Sequence, residues 1–97
     1  MKVLLTRRAH ERLEAIHEFV ATSDPSAAER LLDRLYRRIA TLERFAARGR
    51  PVPELPGTGV RELVEGKFRI VYRAVGDEVQ VLTVFDARLP MEREPGA

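Results

Sequence analysis

The stretch VRELVEGKFRIVYRAVGDEVQVLTVF, residues 60–85, decides the fold class of this chain. It contains three runs rich in β-branched and aromatic residues, at 60–64, 68–74 and 78–85. Two short breaks that contain glycine, at 65–67 and 76–77, separate these runs. Such runs with tight-turn residues between them predict three antiparallel strands joined by two hairpins.

The turns also predict which side chains share a face of the sheet, because side chains alternate along a strand. A two-residue turn at 76–77 pairs Tyr72 with Val81 and Ile70 with Thr83. One face should then carry large apolar residues: Leu63, Phe68, Ile70, Tyr72, Val79, Val81 and Phe85. The opposite face, here called the second face, mixes aliphatic and charged residues: Val60, Glu62, Val64, Arg69, Val71, Arg73, Gln80, Leu82 and Val84. A solvated face would be nearly all polar, and so we expect a partner on the second face or against the grooves of the helices.

Two amphipathic helices are predicted before these strands. Apolar residues recur at helical spacing between residues 7 and 22, and again from 25 to about 46. Thr6 and Asp24 are the expected N-caps, and Pro25 suits the first helical position because no N–H donor is needed there. Gly49 is expected in a left-handed conformation at the end of the second helix.

A strand at residues 2–5 precedes the helices, and the proline- and glycine-rich residues 50–59 are expected to cross the domain in extended form. The predicted fold is therefore α+β, with an N-terminal strand and an antiparallel helix hairpin. The hairpin packs on one face of a small, mainly antiparallel sheet of three to four strands. Residues 1–88 form a single domain in this prediction, and residues 89–97 form a loosely ordered C-terminal tail.

Composition excludes several classes of site. The 97 residues include no cysteine, which excludes disulfides, thiolate catalysis and cysteine-ligated metals. No apolar run is long enough to span a membrane and the N-terminus lacks the pattern of a signal peptide, so that a cytoplasmic protein without membrane contact is expected. His10, Glu14 and His17 share one side of the first helix, but nothing completes a ligand set, and neither a metal nor a cofactor is expected.

Fifteen of the 17 basic residues are arginine, and the net charge is +2. Five arginines of the second helix and of the segment after it are expected opposite the apolar stripe of the helix: Arg30, Arg34, Arg37, Arg44 and Arg48. Such a row could follow the phosphates of a nucleic acid. It could equally be a solvated face on which pairs such as Asp33–Arg37 moderate the charge, and this second interpretation is favoured.

The order of strand, helix hairpin, proline-rich crossover and three-stranded meander resembles the RelE/ParE superfamily of bacterial toxins. The resemblance rests on GVREL (59–63), KFRIVYR (67–73), VQVLTV (79–84) and RGRPVPEL (48–55). The last segment is similar to the ParE branch. The resemblance implies the toxin of a type II toxin–antitoxin system that a cognate, ParD-like antitoxin neutralises, and a homodimer is compatible with it.

The superfamily contains two mechanisms: ParE-like members inhibit DNA gyrase, whereas RelE-like members cleave messenger RNA in the ribosome. RelE-like members usually carry lysines on the strand before the hairpin and often a tyrosine in the tail, and this sequence has neither. Metal-free RNA cleavage needs a base, an acid and cations. Arg69, Arg88 and Arg61 could supply charge, but no acid and base are evident. We therefore expect a gyrase-binding toxin rather than an enzyme; a ribosome-dependent endoribonuclease and a non-toxic, partner-binding relative are the alternatives.

The residues expected to contact the target or the antitoxin are four arginines and three aliphatic residues: Arg61, Arg69, Arg73, Arg88, Val71, Leu82 and Val84. An antitoxin segment should offer apolar side chains to the aliphatic residues and carboxylates to Arg69 and Arg73. The alternative interpretation of Arg69 is an ion pair with Glu62 on the neighbouring strand. Arg61 could instead hold the crossover segment.

Overall fold

The computed structural model describes residues 1–89 and places two α-helices on one face of a five-stranded sheet. The elements, in chain order, are β1 (Lys2–Leu5), α1 (Arg7–Ala21), α2 (Pro25–Ala40), a 3-10 turn (Thr41–Glu43), β2 (Arg50–Pro51), β3 (Arg61–Glu65), β4 (Phe68–Val75) and β5 (Glu78–Asp86). The strand order is β1-β5-β4-β3-β2. All neighbours are antiparallel except β1, which runs parallel to β5.

This architecture confirms the predicted α+β fold. The sheet has one strand more than expected, because β2 pairs with β3 along the edge of the sheet. Residues 90–97 of the predicted tail lie outside the described residues.

The two helices begin where their caps were predicted. The Thr6 hydroxyl accepts a hydrogen bond of 3.1 Å from the N–H of Ala9, and the Asp24 carboxylate accepts one of 3.1 Å from the N–H of Ala27. α1 packs over β5, and α2 packs toward β3. The core between helices and sheet includes most of the predicted residues: Leu13, Ile16, Leu31, Leu35, Ile39, Leu63, Phe68, Ile70, Tyr72, Val79 and Val81.

The prediction for Gly49 is wrong, because its backbone is not left-handed and α2 already ends at Ala40. The reason for a glycine here is close contact. The N–H of Gly49 donates to the Tyr72 hydroxyl at 2.8 Å, and that hydroxyl donates to the carbonyl of Ala46 at 2.8 Å. A Cβ atom at position 49 would lie 2.6 Å from the Tyr72 hydroxyl and 2.5 Å from the backbone oxygen of Glu62.

A β-bulge interrupts the pairing of β4 with β5. Tyr72 pairs with Val81 as predicted, but the preceding residue, Val71, pairs with Thr83. Leu82 is therefore the extra residue on β5. Beyond this point the alternation of β5 is shifted by one residue relative to the prediction.

The shift reverses the faces of two residues. Ile70 pairs with Val84 rather than with Thr83, and Arg69 pairs with Phe85. Val84 consequently lies in the core beneath the helices, and Phe85 lies on the second face. The predicted faces of Val84 and Phe85 are both wrong, because a two-residue turn alone cannot reveal an extra residue farther along the strand.

Candidate functional site

The chain itself covers part of the second face. Residues 50–60, here called the crossover segment, lie over the side of the face nearest β2 and β3. Val52 is fully buried there and forms a small second core with Val71 and Phe85, while its N–H donates to the carbonyl of Val60 at 3.0 Å. On this side, the partner predicted from the apolar pattern is therefore a segment of the same chain.

Arg69 lies beneath the crossover segment and is only 5% exposed. Its Nε donates to Glu62 at 2.6 Å, and its Nη1 and Nη2 donate to the two carboxylate oxygens of Glu54 at 2.9 and 2.7 Å. The guanidinium carbon also lies 5.0 Å from the ring centre of Phe85. The structure therefore shows the ion pair with Glu62 that was the alternative interpretation of Arg69.

Glu62 links two arginines. Its side chain is fully buried, and it also accepts a hydrogen bond of 2.7 Å from Nε of Arg50. The hydrogen bonds with Glu54, and next those with Glu62, raise the pKa of Arg69 although burial opposes this effect. Arg69 thus stays charged, and the four alternating charges fasten the crossover segment to the sheet.

Two other predicted arginines are also bound within the chain. Nη1 of Arg61 donates to the carbonyl of Gly49, just before the crossover segment, at 2.7 Å. Arg61 therefore has the structural role that was the alternative to contact with a partner. Arg88 donates from Nε and from its backbone N–H to Asp86, each at 2.9 Å. These side-chain bonds and then the backbone bond lower the pKa of Asp86 to about 2.

The other predicted residues divide into buried and accessible ones. Val71 is 2% exposed and Val84 is fully buried, and so neither can touch a partner on the surface as it stands. Arg73 is exposed and donates to Gln80 at 3.1 Å, and Leu82 is partly exposed.

Arg73 and Leu82 belong to the side of the second face nearest β1, which the crossover segment does not cover. This surface, here called the open half of the second face, comprises Lys2, Leu4, Arg73, Val75, Glu78, Gln80 and Leu82. The structure thus brings two of the seven predicted contact residues together on an accessible surface.

A second accessible surface lies between α1 and the ends of β4 and β5. This α1 groove encloses about 480 Å³ and combines an apolar floor with a charged rim: Arg12, Ala15, Ile16, Phe19, Val20, Ser23, Asp24, Lys67, Phe68, Asp86 and Arg88. Phe19 is 72% exposed, more than any other large apolar side chain in residues 1–89. Of the predicted contact residues, only Arg88 lines the α1 groove. The sequence signal for the groove was Phe19, an aromatic residue of α1 that lies off the buried apolar stripe.

Within the described part of the chain, no three or more metal-ligating side chains come together. His17 instead forms an ion pair with Glu29 of α2. No helix among residues 1–89 is long and apolar enough to cross a membrane.

Solved structures define the class of protein. A chain of the chromosomal ParDE toxin–antitoxin system from P. aeruginosa superposes with a TM-score of 0.76 at 27% identity, covering 89% of this chain and 95% of that chain. A chain of the toxin–antitoxin complex RelBE2 from Mycobacterium tuberculosis shares the fold with a TM-score of 0.58 at 20% identity, over 88% of this chain and 95% of that one. The fold of this chain, with two helices on one face of a mostly antiparallel sheet, is thus the fold of RelE/ParE toxins.

Sequence comparison identifies the family. The model of the ParE toxin of type II toxin–antitoxin systems, parDE, matches residues 3–89, and the chain belongs to this family. It is also 31% identical over 86 residues to "Putative toxin Y4kP" from Sinorhizobium fredii (strain NBRC 101917 / NGR234), covering 89% of this chain and 88% of that protein. The resemblance to the RelE/ParE superfamily, closest to its ParE branch, is confirmed.

Proposed function

We propose that this toxin acts by binding and inhibiting DNA gyrase, and that a cognate, ParD-like antitoxin neutralises it. The observation that carries the proposal is the engagement of Arg61, Arg69 and Arg88, each of which donates to an acceptor of its own chain. A metal-free ribonuclease needs cations that are free to stabilise a charged phosphate intermediate. Their engagement favours action by binding over RNA cleavage, and ParE membership favours gyrase as the target.

The α1 groove is the surface we propose for the antitoxin. Its floor includes Ile16, Val20 and Phe68, and Phe19 stands beside it largely in water. Lys67 on the rim would attract carboxylates. An antitoxin segment with an apolar anchor and neighbouring acidic residues fits both features, and its burial would remove exposed aromatic area from water.

The open half of the second face is the surface we propose for gyrase. Arg73 is an exposed cation there, and Leu82 supplies apolar area near it. Arginine is enriched among the residues that dominate protein–protein affinity. Because the two proposed surfaces are separate, a substitution on one of them should leave binding at the other unchanged.

The test is a supercoiling assay with purified gyrase and relaxed plasmid, with the toxin added at micromolar concentration. We expect inhibition, weakened at least tenfold by Arg73→Glu and unchanged by Arg7→Glu, which reverses an exposed charge on α1. Added antitoxin should restore supercoiling. Absence of any effect of the folded toxin on gyrase would remove the proposal, and cleavage of messenger RNA in translating ribosomes would replace it with the endoribonuclease alternative.

A further inference from the structure

We propose that the exposed face of α2 binds the phosphate backbone of duplex DNA through Arg30, Arg34 and Arg37, here called the α2 arginine stripe. This inference goes beyond the proposed function. It concerns a different surface, and it requires neither gyrase nor an antitoxin.

The stripe is a straight row on a supported helix. Steps of four and three residues keep the three arginines within about 60° of one another around the helix axis. They lie opposite Ala28 and Ile39, which are buried against the rest of the protein, and all three are exposed. At about 1.5 Å per residue, the row extends about 10 Å, which equals the axial rise of about three base pairs of duplex DNA.

Charge on the stripe is not neutralised within the chain. Among residues 1–89, no ion pair or hydrogen bond engages the three guanidiniums, and the expected Asp33–Arg37 pair is not formed. The acidic residues of α2 turn toward α1 instead: Glu29 pairs with His17, and Asp33 lines the cleft between the helices. The stripe therefore retains its full charge for a ligand. Within the described residues, it lacks the internal ion pairs that were expected to moderate the charge of a solvated face.

The rest of the sequence does not share this excess of positive charge. Residues 25–50 contain seven arginines against three acidic residues, a net charge of +4, whereas the remaining residues together carry −2. A general preference for arginine would spread the excess along the chain. Its concentration on one segment creates a local positive potential that would attract a polyanion.

Duplex DNA fits this surface better than a single strand. Single-stranded nucleic acids are usually held by aromatic side chains that stack on the bases. The one aromatic residue of α2, Tyr36, lies off the stripe and borders the cleft with α1. A rigid row of arginines without a stacking partner matches the regular phosphates of a duplex, and it would bind without sequence preference.

The test measures binding of the full chain to a fluorescently labelled duplex of about 30 base pairs over a series of salt concentrations. We expect a dissociation constant of about 1–100 μM near physiological salt, with a linear dependence of its logarithm on the logarithm of salt concentration. The double variant R34Q/R37Q should bind at least tenfold more weakly at low salt, with a slope reduced by about two. Glutamine preserves helix propensity, and circular dichroism would verify the fold.

The matched control is K2Q/R7Q, which removes two exposed charges that lie outside the stripe, one on β1 and one at the start of α1. It should retain nearly all of the binding. Equal losses in both double variants would overturn the proposal, because net charge rather than this face would then be responsible. Absence of binding by the unmodified chain, or tighter binding to an RNA hairpin of equal length, would overturn it as well.

Discussion

Glu54 and Arg69 form a two-point ion pair, with both nitrogens of the guanidinium fork donating to the two oxygens of one carboxylate. Glu54 belongs to the crossover segment and Arg69 to the middle of the sheet, so that this pair fixes a proline-rich segment onto β4. Glu62 holds the same guanidinium from β3 and is itself fully buried. The pair explains why an apolar patch that resembled a partner surface is covered by the chain itself.

The two carboxylates should differ in their contribution to stability. Glu62→Gln removes a fully buried charge between two arginines, and we expect a cost of about 3–5 kcal/mol in the free energy of unfolding. Glu54→Gln should cost about 1–2 kcal/mol, because a third of the Glu54 side chain is in water and Glu62 still neutralises Arg69. Urea denaturation of both variants measures the difference, and equal costs would contradict this view of the cluster.

Gly49→Ala should be destabilising although the backbone at Gly49 is not left-handed. The added methyl group would collide with the Tyr72 hydroxyl and a backbone oxygen, and we expect a loss of about 1–3 kcal/mol. Tyr72→Phe relieves part of the collision but leaves the Gly49 N–H without its acceptor. Thermal unfolding of the two single variants and the double variant should therefore show non-additive effects, and strict additivity would argue against contact at this site.

The bulge in β5 makes a clear prediction for neighbouring residues. Val84→Ala should cost about 2 kcal/mol, because Val84 lies in the core beneath the helices. Leu82→Ala should cost less than about 1 kcal/mol although leucine loses more atoms, since Leu82 is partly exposed on the second face. Uninterrupted alternation would place both residues on the second face, and Leu82→Ala would then cost at least as much as Val84→Ala. Chemical denaturation distinguishes the two orders.

The pair of Asp86 and Arg88 should be visible in a pH titration. Because the pKa of Asp86 is lowered from its ordinary value of 3.8 to about 2, the pair stabilises the fold above about pH 4 and this contribution is lost as the pH falls toward 2. Arg88→Ala should raise the pKa of Asp86 toward its ordinary value. The effect on stability should be small, since Arg88 is largely in water.

Nuclear magnetic resonance of the Asp86 carboxyl carbon measures this shift directly. Arg88→Lys provides the control, because it keeps a positive charge but loses the planar two-point geometry, and it should give an intermediate pKa. An unchanged pKa in Arg88→Ala would show that the pair does not persist in solution.

Phe19 and Phe45 provide a matched test of the proposed antitoxin surface. Both are exposed phenylalanines, at 72% and 53%, but Phe45 lies outside the α1 groove. Phe19→Ala should weaken binding of the cognate antitoxin by at least tenfold, whereas Phe45→Ala should change it little. Isothermal titration calorimetry gives both affinities. A larger loss for Phe45→Ala would move the antitoxin to another surface.

Much of the site escaped the sequence analysis because it depends on contacts between distant residues. Arg69 was identified as important from its place on β4, but its burial follows from Glu54, 15 residues earlier in the chain. Val84 and Phe85 were assigned to the wrong faces because no residue type marks Leu82 as the extra residue of a bulge. Phe19 was passed over because helical periodicity identifies buried residues better than exposed ones.

The sequence by itself determined the elements, their order and the hairpins. Thr6 and Asp24 cap the helices through bonds to residues three positions away, and Gly66 and Gly76 turn the strands with φ angles of 58° and 61°. These features are local, because each depends only on a few neighbouring residues. Only the tertiary structure decided which surfaces remain open to partners. The crossover segment closes one half of the second face through buried ion pairs, and the strength of such pairs depends on exclusion of water, which requires the folded chain.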